Sequence, residues 1–176
     1  MEKTLITELG KVLIEAETKH KEITRLTAQL PELTAEEAYG IQEELVKQKL
    51  ANGMKLVGPK MGLTSEAKMK QMNVNEPIYG YIFDYMKVSN GETISMGELI
   101  HPKVEAELAF VLKHDLEGET VSIEDVLNAT DYIVPALEII DSRYENFKFT
   151  LPDVIAENTS ASRVVFGDRL VRTSTT

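Results

Sequence analysis

Near the start of the chain, apolar residues fall at Leu5, Ile6, Leu9, Val12, Leu13 and Ala16. These spacings close one stripe on a helix and leave Glu8, Lys11, Glu15 and Lys19 on its wet side. A second helix is announced by Thr34-Ala35-Glu36-Glu37, where Thr and Glu have capping-box spacing. Ala38, Ile41, Leu45 and Leu50 carry it to Asn52-Gly53, a suitable C-terminal stop, and Pro31 separates the two helices. From Met54 the texture becomes that of strands, punctuated by Gly58, Gly62, Pro77, Gly80, Asn90-Gly91 and Gly97. The strongest strands are Lys103–Leu112 and Tyr132–Ile140. Two short helices are predicted among them. One follows Thr64-Ser65 and carries Met69 and Met72; the other starts at Ser122 and carries Ile123, Val126 and Leu127. Arg163–Phe166 reads as a last strand entering a turn at Gly167-Asp168, with no closing element after it. The pattern predicts an α+β chain, with a helical appendage over 1–53 that bears no chemistry and a β-rich domain over 54–176.

Composition narrows the classes. A chain of 176 residues, 43% hydrophobic, is long enough for one buried core. With 19 Lys+Arg against 29 Asp+Glu, its charge of −10 argues against nucleic acid or an anionic membrane as partner. No apolar run approaches a membrane span, and Met1-Glu2-Lys3-Thr4 lacks the basic start of a signal peptide, so a cytoplasmic location is expected. The absence of Cys excludes disulfides, thiolate zinc sites and Cys nucleophiles. His20, His101 and His114 have no metal-ligand spacing, and Met61, Met69, Met72 and Met86 read as core filler.

The candidate chemistry is acidic. Strand alternation puts Val104, Ala106, Leu108, Phe110 and Leu112 on one face and Glu105, Glu107, Ala109 and Val111 on the other. A bare E-x-E is commonly a solvated strand face; two carboxylates held this close also suit a hard cation such as Mg²⁺ or Mn²⁺. Glu138 is the only charge in Tyr132–Ile140, and a carboxylate buried there needs either a cationic partner, Arg143 or a Lys, or a metal. Taken together the three favour the metal. Lys60, in Gly58-Pro59-Lys60-Met61-Gly62, is a surface charge or a group that binds a substrate carboxylate or donates a proton. Asn158-Thr159-Ser160 offers donors, or a turn.

Lys60-Met61-Gly62-Leu63-Thr64-Ser65, Pro77-Ile78-Tyr79-Gly80, His101–Glu107, Pro135-Ala136-Leu137-Glu138 and Asp141-Ser142-Arg143, in this order, resemble the hydratase/decarboxylase family of aromatic meta-cleavage pathways. That family belongs to the fumarylacetoacetate hydrolase superfamily. The resemblance runs from the first helix to about Gly167. It implies a mixed β-roll, a divalent metal (Mg²⁺ or Mn²⁺) held by Glu105, Glu107 and Glu138, and Lys60 as catalytic residue. It also implies a 2-oxo dicarboxylic acid substrate, with Leu63, Arg143, Asn158 and Ser160 lining its site. Ala67-Lys68-Met69, Ile78 and Tyr144–Phe149 look like the branch that decarboxylates 2-oxohex-3-enedioate; related hydratases usually carry Asp where this chain has Ile78. Family members usually read Asp where this chain has Glu157. They also continue well beyond Gly167, so the roll is expected to be incomplete at its C-terminus. The same resemblance implies a homo-oligomer and association with a partner hydratase, and leaves open a hydratase or a non-catalytic metal-binding subunit.

Overall fold

The computed structural model describes residues 1–172, the side chains of Gln71 and Met72 excepted. The expectations for 173–176 and for Met72 as core filler lie outside those residues. Helices α1 (Lys3–Thr18) and α2 (Ala35–Ala51) pack together. The predicted capping box is present: Thr34 Oγ1 accepts from the Glu37 N–H at 3.2 Å, and Glu37 Oε2 accepts from the Thr34 N–H at 3.3 Å. α2 is capped at its C-terminus by Asn52, followed by Gly53 at φ +89°. Two side chains expected on the apolar stripes, Val12 and Leu50, are instead exposed. A Cβ on Gly10 would meet Gln48 Nε2 at 3.3 Å, so this face of α1 lies close against α2 and Val12, half a turn round, faces solvent. Beside Leu50, Lys49 is the inward residue, drawn in by Glu17 at 2.6 Å.

A two-stranded antiparallel ribbon follows, β1 (Leu56–Gly62) with β2 (Ile78–Phe83), which sets Lys60 opposite Gly80. Between them lies α3 (Glu66–Met72), capped by Ser65. The main sheet has the order β3 (Lys87–Val88), β6 (Ala161–Phe166), β5 (Thr130–Asp141), β4 (Pro102–Leu112). β3 runs parallel to β6 and the other pairs are antiparallel, so the sheet is mixed. α4 (Ile123–Ala129) joins β4 to β5, and α5 (Leu151–Ala156) joins β5 to β6. After the turn at Gly167 the chain does return: β7 (Val171–Arg172) pairs with the first part of β5, correcting the expectation of no further element there.

The core is continuous across residue 53. Leu13, Ile41 and Leu45 belong to one cluster with Ile78, Phe83, Met86, Ile155 and Val164. Met86 is the core filler expected; Met61 is 49% exposed and is not. The helices are also held ionically. The Lys49 and Arg143 cations meet Glu17 at 2.6 and 3.1 Å, and Lys49 donates to Tyr85 at 2.6 Å. Burial pushes the Glu17 carboxyl up, but Arg143 and Lys49 outweigh it and hold it down at about 2. Among the described residues no helix is long and apolar enough to cross a membrane.

Candidate functional site

Register builds the site. β4 and β5 pair with Glu105 directly opposite Glu138, and residues opposite one another share a face, so Glu105, Glu107 and Glu138 converge. One carboxylate oxygen from each lies within 4.8 Å of the others. This is the inner face: Val164 and Ala136, on the same side, are buried, whereas Val104, Leu108 and Phe110 on the opposite side are 65%, 62% and 46% exposed. Glu138 is buried, and the other two open toward solvent.

Among the described residues, two ammonium groups touch the cluster. Lys60 Nζ, with its side chain 9% exposed, sits 3.1 Å from Glu138 Oε2 and donates to the Thr159 carbonyl at 3.1 Å. The cationic partner of Glu138 is therefore Lys60 and not Arg143. Lys68, on α3, reaches Glu105 Oε1 at 2.7 Å. Burial pushes the Glu138 carboxyl up, Lys60 opposes this, and the Glu107 and Glu105 charges push it further up. Glu138 Oε1 is buried and has no hydrogen-bond partner among the described residues. An orphaned buried oxygen beside two further carboxylates is a donor set that fits a hard divalent cation, which takes oxygen ligands and keeps waters on its remaining positions. The residues fit the expected ion.

The Lys60 wall is made by an unusual turn. Asn158, Thr159 and Ser160 all have left-handed backbone, at φ +67°, +54° and +54°, a strained arrangement for three residues other than glycine. It is clamped from outside. Asn158 Oδ1 accepts from the Tyr81 N–H at 2.7 Å, and its Nδ2 donates to the Tyr81 carbonyl at 2.9 Å. Thr159 Oγ1 donates to the Tyr79 carbonyl at 2.8 Å. Gly80 permits this approach, since a Cβ there would meet the Asn158 carbonyl oxygen at 2.7 Å. Gly62 lies against Thr159 Cγ2 and buried Ile78, and Leu63 follows it at φ +56°, partly buried against the core.

The expected substrate contacts at Arg143, Asn158 and Ser160 are placed differently. Arg143 is 2% exposed, and its guanidinium is engaged by Glu17, the Asp141 carbonyl and the Ala161 carbonyl. Asn158 is fully buried on Tyr81. Ser160 donates to Glu157 Oε1 at 2.6 Å. All three are turned into the protein, because each satisfies a buried backbone or carboxylate partner. Sequence reasoning had not assigned roles to Lys68 or to the Thr159 carbonyl. The partner of Lys68 is 37 residues away, and only the fold pairs them.

A mixed α+β scaffold that brings three carboxylates and a buried lysine together on one sheet face defines a class of carboxylate-rich, cation-ready centres. No family model matches the chain. The chain is 48% identical over 162 residues to a 4-oxalocrotonate decarboxylase of Pseudomonas putida, covering 92% of this chain and 61% of that relative. It is 39% identical over 172 residues to a 2-hydroxypent-2,4-dienoate hydratase of the same organism, covering 97% of this chain and 78% of that one. A solved 4-oxalocrotonate decarboxylase from P. putida G7, complexed with magnesium and adipate, superposes with a TM-score of 0.95 at 43% identity, over 98% of this chain and 65% of that one. The chain thus spans less than two thirds of the length of the decarboxylases it matches. It belongs to the hydratase/decarboxylase family.

Proposed function

We propose that the chain carries the metal and lysine centre of an enzyme that decarboxylates 2-oxohex-3-enedioate to 2-hydroxypenta-2,4-dienoate. The observation that carries this reading is the convergence of Glu105, Glu107 and Glu138 within 4.8 Å, with Glu138 Oε1 left without a partner. Those three residues would hold Mg²⁺ or Mn²⁺, which when bound supplies Lewis-acid stabilisation to an oxyanion developing at the substrate's C2. Cleavage of the C5–C6 bond releases CO₂ and leaves its electron pair at C5; conjugation through C3=C4 delivers it to the C2 oxygen. Lys60, fixed between Glu138 and the Thr159 carbonyl, either binds a substrate carboxylate or delivers the proton that completes the dienol. Arg143, Asn158 and Ser160 act by holding the walls, and Leu63 lines the site beside Gly62.

Ile78 favours decarboxylation over hydration. It is 4% exposed and packed on Gly62, where an acid able to handle water would be needed for the second reaction. A second reading, a 2-oxopent-4-enoate hydratase, draws support from the hydratase relative. A third, a non-catalytic metal-binding subunit, would keep the centre and lose the turnover. The test is CO₂ release from 2-oxohex-3-enedioate with Mg²⁺ and then with EDTA. Cation-dependent CO₂ release is expected. Faster conversion of 2-hydroxypenta-2,4-dienoate to 4-hydroxy-2-oxopentanoate would transfer the assignment to the hydratase, and cation binding without either turnover would favour the subunit.

The mixed sheet is in keeping with a β-roll of fumarylacetoacetate hydrolase type, the helical region over 1–53 bracing the catalytic region over 54–176. We place the protein in the cytoplasm, acting as a homo-oligomer and meeting the pathway's hydratase. The exposed apolar face of β4 and β5, bearing Val104, Leu108, Phe110 and Leu137, supports association.

A further inference from the structure

The two ammonium groups on the carboxylate cluster are held very differently. Lys60 is buried and wedged between two oxygens. The Lys68 side chain is half exposed, and among the described residues its Nζ has a single hydrogen-bond partner, Glu105. Its position is also a poor one for a helix. Lys68 stands in the first turn of the seven-residue α3, three residues after the Ser65 cap, where the helix dipole disfavours a cation. The contact that offsets this cost is the one with the carboxylate cluster, through Glu105 at 2.7 Å.

Charge counting gives its role. A divalent ion and Lys60 together neutralise the three carboxylates. Lys68 holds Glu105 through one oxygen, Oε1, and an ion that draws the Glu105 charge to itself competes with the lysine and weakens that exposed pair until it opens. A free ammonium is then left beside the ion's ligands, where the head group of a 2-oxo acid must lie if its carboxylate and carbonyl approach the ion. We propose that Lys68 is a substrate-binding residue that guards Glu105 until a divalent cation displaces it, and then pairs with the C1 carboxylate of a 2-oxo acid. This deepens the function proposed above and rests on it.

The two roles have opposite signs in one variant. An exposed ion pair is worth about 0.2–1 kcal/mol, so Lys68→Met should tighten Mn²⁺ binding by up to about fivefold. In saturating Mn²⁺ the same variant should bind 2-oxohexanedioate, the saturated analogue that cannot lose CO₂ by this route, about tenfold more weakly. Lys68→Arg, which keeps the charge, should stay near wild type on both. Calorimetry with Mn²⁺ and then with the analogue reads each value, with melting temperature recorded to show that the variants fold. If Lys68→Met leaves both affinities unchanged, or moves both in the same direction, the inference is overturned while the centre stands. If the wild-type chain binds no divalent cation, the proposed function falls and takes the inference with it.

Discussion

Glu138 and Lys60 depend on each other because both are buried. Removing one partner of a buried ion pair typically costs about 3–5 kcal/mol, since the other is left uncompensated. Lys60→Ala should therefore lower cation-free stability by about 3 kcal/mol in urea unfolding, and a divalent cation should restore part of it by taking over the Glu138 charge. Its decarboxylation should fall at least a hundredfold in kcat/KM; a loss of less than about tenfold, ~1.4 kcal/mol, would remove Lys60 from the chemistry. Glu157 behaves differently. Burial pushes its carboxyl up to about 7, against the pull of Arg143 and of hydrogen bonds from Ser160 and the Arg143 N–H. Its folded-state value is raised above the unfolded one, so the stability it contributes is present below about 4.5 and lost as pH rises through about 7. The urea midpoint should fall from pH 5 to pH 8, and Glu157→Gln should flatten that slope; an unchanged slope would assign the effect to other groups.

The left-handed turn at 158–160 and the β1–β2 ribbon fit only because Gly80 has no side chain. Gly80→Ala should cost about 1–3 kcal/mol, as overpacking against backbone does, and should loosen the Thr159 carbonyl from Lys60. Wild-type stability and activity in this variant would show that the clamp does not position the lysine. The elements themselves were largely legible: the Thr34 and Ser122 caps, the β4 and β5 spans and the face shared by Glu105 and Glu107 all follow from local pattern. What was not legible depends on contacts distant in sequence. The strand pattern could not say that the Glu face of β4 is the inner one, because its apolar face is the better candidate by hydropathy and yet lies open. The rotation of α1 that exposes Val12 is set by Gly10 meeting α2, and the burial of Arg143, in the loop after β5, by Glu17 from α1. The polar residues at 158–160 read as donors or as a turn in one dimension, and only the fold shows the turn clamped on Tyr81.

At the scale of the whole molecule, α1 and α2 are joined to the sheet by one apolar core and by the Glu17, Lys49 and Arg143 cluster. The site is therefore carried on a single braced body. The outer face of β4 and β5 is the exception, since it presents Val104, Leu108, Phe110 and Leu137 to solvent. Leu108→Glu should reduce self-association in sedimentation without weakening cation binding, because residue 108 lies on the face opposite the carboxylates. A wild-type chain that sediments as a monomer at all concentrations would contradict the oligomer. Everything proposed for the chemistry rests on three carboxylates holding one ion. Titration calorimetry of Mg²⁺ and Mn²⁺ into the wild-type chain, Glu107→Gln and Glu138→Gln tests it most directly. One site per chain is expected in wild type, with at least a tenfold loss of affinity in each variant, about 1.4 kcal/mol. Wild-type affinity retained in both variants would contradict it.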